Sequence, residues 1–281
     1  MKSPLLTGLL VTRPASLAML RTAIGDFARQ TWPTRELGVV HDGDARFDRT
    51  VRGLADEHGV DAIVERVAAS QPLGALRNRS VELARGEWVA QWDDDDRHHP
   101  QRLERQVDAL RSAGADAAFS AEQLHWFKAR GTMFWEDWTA DPWPLGVVQG
   151  TLVAARRRMP RYPEAARGED SALLLALATA NATIARVAGI GWSYVYTYHG
   201  GNTWDEFHHA ASVATHSLSS ARLLAREAEL RRRLAEYDPP LPAIVLPCGN
   251  RVIKIDADQA AATEPAPAQA SAGRKRRAST A

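Results

Sequence analysis

Glu87-Trp-Val-Ala-Gln-Trp-Asp-Asp-Asp-Asp96 decides how the rest of this chain is read. A short apolar run suited to a strand buried on both faces passes directly into four consecutive carboxylates. Like charges set side by side repel, so their place at a strand end favours a cation such as Mg²⁺ or Mn²⁺ with open positions left for phosphate oxygens. The plainer alternative is a solvated turn whose charge favours the positive end of the following helix. Working back, Thr7–Thr12, Glu36–Val40 and Asp61–Glu65 read as further buried strands. Between them the spacing of apolar residues predicts helices over Ser16–Gln30, Thr50–His58 and Leu73–Arg85, and Pro100–Ser112 follows the acidic turn as another. Strands alternating with helices predict an α/β fold with a mostly parallel central sheet flanked by helices. Ligands of such sheets bind beyond the carboxyl ends of the strands. The turns expected there carry Thr12 and Arg13, then Asp42–Asp44, then Asp93–Asp96, so three separate turns are expected to meet in one crevice.

The pattern loosens after Ala117. A helix is read over Leu173–Ala180, strands over Ile184–Val187 and Trp192–Tyr196, and one long amphipathic helix over Asp205–Tyr237, ended by Pro239, Pro240 and Pro242. One more strand is expected within Leu241–Ile255. From Ala257 onward, Ala, Pro, Gln, Ser and Gly bury too little apolar surface to offset the entropy of ordering, so a disordered tail is expected over 257–281.

The 281 residues suggest one or two domains, and 45% hydrophobic with 25% charged residues excludes fibrous and largely disordered classes. The net charge of +1 gives the folded body no reason to bind nucleic acid. Four basic against two acidic residues make the tail +2, a short cluster of the kind that is usually solvated. Cys248 is the single cysteine, which excludes an internal disulfide and suits a reducing compartment. The run Leu5–Val11 is too short for a secretory signal, and no segment approaches the ~20 apolar residues of a membrane span, so a cytoplasmic protein with no integral membrane segment is expected.

Several motifs in order carry a resemblance. They are Leu9-Leu-Val-Thr-Arg-Pro14, Gln30-Thr-Trp-Pro33, Glu36-Leu-Gly-Val-Val-His-Asp-Gly43, Leu73-Gly-Ala-Leu-Arg-Asn78, Ala84-Arg-Gly-Glu-Trp-Val89, Trp92-Asp-Asp-Asp-Asp96 with Pro100 and Leu103, Gly168-Glu-Asp170, and Tyr198-His-Gly-Gly-Asn-Thr-Trp204. Over about Leu5–Trp204 the chain resembles the family 2 glycosyltransferases, which have the nucleotide-sugar-binding GT-A fold. The resemblance implies a transferase domain over 1–204, with a nucleotide-sugar half (1–112) and an acceptor and catalytic half (113–204). A C-terminal helical extension over 205–256 then precedes the tail.

The implied chemistry is inverting, metal-dependent transfer of a sugar from a nucleoside diphosphate sugar, UDP favoured, to a hydroxyl acceptor. Thr12, Arg13, Asp42, Arg77, Asp93 and Asp94 are the implied donor-binding residues, Asp42 toward the nucleobase and Arg77 toward the diphosphate. Asp95, Asp93 and His199 are the implied ligands of Mn²⁺ or Mg²⁺, with Asp95 the more direct and Asp93 nearer the ribose or a metal-bound water. Asp170 is the implied base and Glu169 its support. His41 stands where family members often carry Asp. Indole faces stack on sugar rings, so Trp135, Trp138 and Trp143 are candidates for holding the acceptor, although each could equally serve the core.

Two rival classes stay open. A sugar-phosphate nucleotidyltransferase would show a glycine-rich phosphate loop after the first strand, where this chain has Val11-Thr-Arg-Pro-Ala15. A non-catalytic module would bind a nucleotide sugar or glycan without turnover.

Overall fold

The computed structural model describes residues 3–256. The expected disordered tail therefore lies outside the described residues. Along the chain run β1 (Leu6–Thr12), α1 (Leu17–Ala28), β2 (Arg35–His41), α2 (Ala45–Glu57), β3 (Ala62–Arg66), α3 (Leu73–Leu83), β4 (Trp88–Gln91), β5 (Arg97–His98) and α4 (Arg102–Ser112). There follow β6 (Ala117–Ser120), β7 (Glu122–Phe127), β8 (Thr132–Asp137), β9 (Val153–Ala155), α5 (Glu169–Thr179), β10 (Ile184–Val187) and β11 (Tyr194–Tyr198). The last elements are α6 (Glu206–His216), α7 (Ser220–Ala225), α8 (Glu227–Leu234), β12 (Ile244–Cys248) and β13 (Arg251–Ile255).

Seven strands form the first sheet in the order β10-β6-β9-β4-β1-β2-β3, parallel throughout except for β9. The expected mostly parallel sheet flanked by helices is thus the observed one. Side chains alternate across a strand, and β1 shows the result. Leu6 and Leu10 pack with Leu20, Ile24 and Phe27 of α1, while Leu9 joins Leu173, Leu174 and Leu177 of α5 on the opposite face. Gly8 lies under the Phe27 ring, where any Cβ would collide with it. Asp44 caps α2 by accepting a hydrogen bond from the Phe47 N–H at 2.8 Å, so the turn after β2 runs directly into a helix start.

A second sheet of six strands runs β13-β12-β8-β7-β11-β5. Its core face carries Leu124, Trp126, Met133 and Trp135, packed with Leu230, Leu234 and Leu246. The single strand expected within Leu241–Ile255 is an antiparallel hairpin on this sheet's edge. The single helix expected over Asp205–Tyr237 is three. It is broken at Arg226, between α7 and α8, and at Ser217, which pairs with Glu136 of β8, where the next N–H, that of Leu218, donates to the Trp135 carbonyl at 2.8 Å. Helical periodicity cannot reveal this, because sheet pairing replaces the intrahelical hydrogen bonds there. Among the described residues, no helix is long and apolar enough to cross a membrane.

Candidate active site

The turns after β1, β2 and β4 open into one cleft of about 1220 Å³, lined from both sheets. Thr12, Arg13, Asp42, Arg77, Asp93, Asp94, Asp95, Glu169 and Asp170 all line it. The meeting of three separate turns expected from the sequence therefore occurs, and the acidic turn shares its space with the first turn of α5.

The acidic turn is fixed at its exit. Asp96 is buried and accepts hydrogen bonds from the Tyr194 hydroxyl and from the Thr197 N–H at 2.8 Å, which ties the turn to β11. Immediately after it, the Arg97 side chain (2.8 Å) and the His98 N–H (2.9 Å) both donate to the wholly buried Asp26 of α1. His98 is enclosed by the Trp92 and Tyr194 rings beside the Arg102 guanidinium. Burial, with the nearby Arg102 charge, holds it well below the usual histidine range, so it is a neutral packing residue. Burial also pushes Asp96 well above the usual carboxylate range, with the charges of Asp95 and Asp93 adding to the effect. Asp94 is pushed up to about 7 by the same causes, against the pull of the Thr12 and Ser16 hydroxyls.

Arg77 is the hub that joins the two acidic groups. Its Nε donates to Glu169 Oε1 at 2.9 Å and its Nη2 to Asp93 Oδ1 at 3.0 Å. Burial works against the guanidinium, but Asp93, Glu169 and Asp170 around it hold its pKa above the ordinary arginine value. Gln91 donates to the second oxygen of Asp93 at 3.0 Å. Glu169 is buried, whereas Asp170 is half-buried and accepts at Oδ1 from the Ser171 N–H at 2.7 Å. On the far side, Arg13 Nε lies 3.3 Å from Asp42 Oδ2 and donates through Nη2 to the Gln71 carbonyl at 3.0 Å.

His199 stands just outside the main cleft, with its Nε2 3.2 Å from Asp95 Oδ2. The Gly201 N–H donates to Nδ1 at 3.3 Å, so in the uncharged ring Nε2 carries the proton that faces Asp95. Coordination there would replace this hydrogen bond. Among the described residues, no three His, Cys, Asp or Glu side chains form a metal cage. A carboxylate and an imidazole side by side still fit a divalent ion that takes its remaining ligands from phosphate and water.

The three tryptophans separate. Trp138 lines the cleft, stacked on His216 with ring centroids 3.8 Å apart. Trp135 is not a cleft residue. In the register of β8 it lies opposite Leu124, on the core face of the second sheet, and it is 1% exposed. Trp143 is 52% exposed and outside the cleft, beyond the end of β8.

Sequence reasoning missed Tyr194, Gln91 and the cleft-facing residues of β7. The signal for the last was present as alternation. In Glu122–Phe127 the residues Leu124 and Trp126 enter the core, while Gln123 and His125 take the other face and line the cleft.

Residues 14–138 match the model of the family described as glycosyl transferase family 2, so the resemblance read from the motifs is borne out over that segment. EpsH of Bacillus subtilis (strain 168) is 34% identical over 97 residues, 34% of this chain and 26% of EpsH, so the match spans about a quarter of that relative's length. Among solved structures, S. aureus TarS 1–349 in complex with UDP superposes with a TM-score of 0.56 at 16% identity, over 83% of this chain and 79% of that one. The same protein with UDP-GlcNAc gives 0.58 at 15% identity, over 84% and 67%. The mannosyltransferase PcManGT from Pyrobaculum calidifontis, in complex with GDP-Man and Mn²⁺, gives 0.56 at 14% identity, over 84% and 64%. These likenesses establish the fold as the GT-A type.

Proposed function

We propose that this chain, whose residues 14–138 carry the family 2 glycosyltransferase signature on a GT-A fold, moves a sugar from a nucleoside diphosphate donor to an acceptor hydroxyl with inversion at the anomeric carbon. The observation that carries the reading is the single cleft shared by the acidic turn, the three strand-end turns and Asp170. UDP is the favoured nucleotide, in line with the nucleotides bound to TarS. A reducing compartment such as the cytoplasm suits the lone, buried Cys248.

In this reading Asp42 accepts a hydrogen bond from the base edge, with Arg13 fixing its carboxylate. Asp93 faces the ribose side, held in place by Arg77 and Gln91. Arg77 presents positive charge to the diphosphate side of the cleft, and its second contact fixes Glu169 and hence the start of α5. Asp95 and His199 would hold a divalent ion, which when bound would neutralise charge on the leaving diphosphate. Asp170 takes the proton of the attacking acceptor hydroxyl at its carboxylate, on the face away from the leaving group. Trp138 borders the acceptor. Tyr194, by holding Asp96, keeps the turn preorganised so that little reorganisation is needed when charge develops.

The test is a panel of UDP-, GDP- and TDP-sugars with and without Mn²⁺, read by nucleoside diphosphate release and by thermal shift. Release from one donor class, dependent on Mn²⁺ and abolished by Asp170→Asn with nucleotide binding retained, is expected. Nucleotide protection with no release from any donor would leave a binding module instead.

A further inference from the structure

We propose that Gln123, His125, His209 and Trp138 form a subsite that takes a neutral, hydroxyl-rich acceptor, a terminal sugar ring or polyol, and disfavours an acceptor group carrying phosphate or carboxylate. The inference rests on the transferase reading only in calling the ligand an acceptor. It begins with Glu136, which lies wholly buried opposite Gln123 in the register of β7 and β8. Glu136 accepts hydrogen bonds from Gln123 Nε2 at 2.5 Å, from the Ser212 hydroxyl at 2.6 Å and from His125 Nδ1 at 3.0 Å. Burial opposes its charge, but these partners outweigh burial and hold the carboxylate below its ordinary pKa.

An ionised Glu136 fixes the orientation of its neighbours. It accepts only, so the amide of Gln123 must turn its NH₂ inward and His125 must carry a proton on Nδ1. Gln123 Oε1 is then left as a bare lone pair. Gln123 Oε1 and His125 Nε2 are buried and, among the described residues, without a hydrogen-bond partner, as are His209 Nε2 and Trp138 Nε1. Gln123, His125 and His209 are 6%, 2% and 4% exposed, yet all line the cleft, as does Trp138. The grouping is continuous. The rings of His125 and His209 lie 5.2 Å apart, and α6 presents His209, Ser212 and His216 on one face, where His216 stacks on Trp138. Burial, with the neighbouring His125 and His208, lowers His209 to about 4, so its ring is uncharged at neutral pH.

Buried polar atoms are nearly always paired, and four unpaired ones at one end of one cleft mark a site that a ligand completes. Their chemistry selects that ligand. The Gln123 lone pair beside the Trp138 indole N–H matches hydroxyls, which both donate and accept. A phosphate or carboxylate, which only accepts, would meet the lone pair of Gln123 with no hydrogen to offer.

The experiment measures binding to the full chain, with and without UDP and Mn²⁺, by saturation-transfer NMR. The neutral probes are methyl α-mannoside, methyl β-galactoside, N-acetylglucosamine and glycerol. The charged probes are glucose 6-phosphate and glycerol 3-phosphate. At least one neutral probe is expected to bind more tightly than either phosphate ester. His125→Phe and Gln123→Leu are each expected to weaken it about tenfold, the loss of roughly one hydrogen bond, while UDP affinity stays unchanged. Trp138→Phe, which removes only the N–H side of the ring system, supplies the same readout should either variant fold poorly. Glu136 is a positioning residue, and Glu136→Gln is expected to shrink the preference for neutral over phosphorylated probes by freeing the Gln123 amide to turn its NH₂ toward the cleft. Tighter binding of the phosphate esters, binding of no neutral probe, or unchanged binding in folded variants would overturn the proposal. Neutral probes that bind to the wild type and fail in the variants, in a protein that ignores every nucleotide, would keep the subsite and discard the transferase reading.

Discussion

Replacing Arg77 by methionine removes the guanidinium that joins the two acidic groups of the cleft while keeping most of the side-chain stem. The side chains of Arg77, Glu169 and Asp93 are 11%, 3% and 21% exposed, and the two contacts are 2.9 and 3.0 Å long. Removing one partner of a buried pair costs about 3–5 kcal/mol, because the remaining charge stays buried without compensation. Two hydrogen bonds to charged groups at roughly 1.5–3 kcal/mol each lead to the same range. The assay is urea unfolding in EDTA, followed by circular dichroism. Arg77 is held above its ordinary pKa, so its contribution is complete below the strongly alkaline range in which unfolded arginine titrates and is flat across neutral pH. The loss should therefore be the same at pH 7 and pH 8 as far as Arg77 itself is concerned. Glu169→Gln added to Arg77→Met removes the orphaned charge and is expected to restore about 1–3 kcal/mol. A loss under about 1 kcal/mol for the single variant, or a double variant no more stable than the single, would refute the hub.

Asp94 is raised to about 7 from 3.8, so it retains a proton in the folded state that the unfolded state has lost, and stability falls as pH rises through that window. Asp94→Asn is therefore expected to stabilise the metal-free protein by roughly 2–4 kcal/mol at pH 8 and by almost nothing at pH 4, read by denaturant midpoints. Asp170→Asn is expected to lower kcat about 10²–10⁴-fold while UDP affinity, measured by calorimetry, holds. At Gly74 an added Cβ would run into the Pro163 backbone carbonyl, so Gly74→Ala should displace the segment leading to α5 and cost about 1–3 kcal/mol in thermal unfolding. Trp143→Ala, at an exposed position outside the cleft, should change stability by less than about 0.5 kcal/mol.

The first half of the fold was legible because each strand is a continuous apolar run and each helix a periodic one. Leu6–Thr12 and Leu73–Leu83 are good examples. The second sheet hid itself. Glu122–Phe127 and Thr132–Asp137 bury Glu122, Gln123, His125 and Glu136 in pairs with one another or with distant partners such as Arg226 and Ser212, so composition alone makes these strands look polar. Helices α6 and α7 looked continuous because the sheet pairing at Ser217 leaves no mark on the apolar spacing. At the site, the carboxylates of Asp93–Asp96 and Asp170 stood out because they sit in recognisable turns. The union of Gln123, His125, Glu136 and His209 depends on strand register and on the docking of α6, which no local spacing encodes. Trp135 and Trp138 show the same limit, since only two residues of chain separate a core indole from one in the cleft.

Anomalous diffraction at the manganese edge, from crystals grown with UDP and Mn²⁺, locates the divalent ion and the nucleotide together. One manganese peak is expected beside Asp95 and His199, with the diphosphate in the cleft toward Arg77 and Asp170. A peak elsewhere, or UDP bound outside that cleft, would contradict that arrangement.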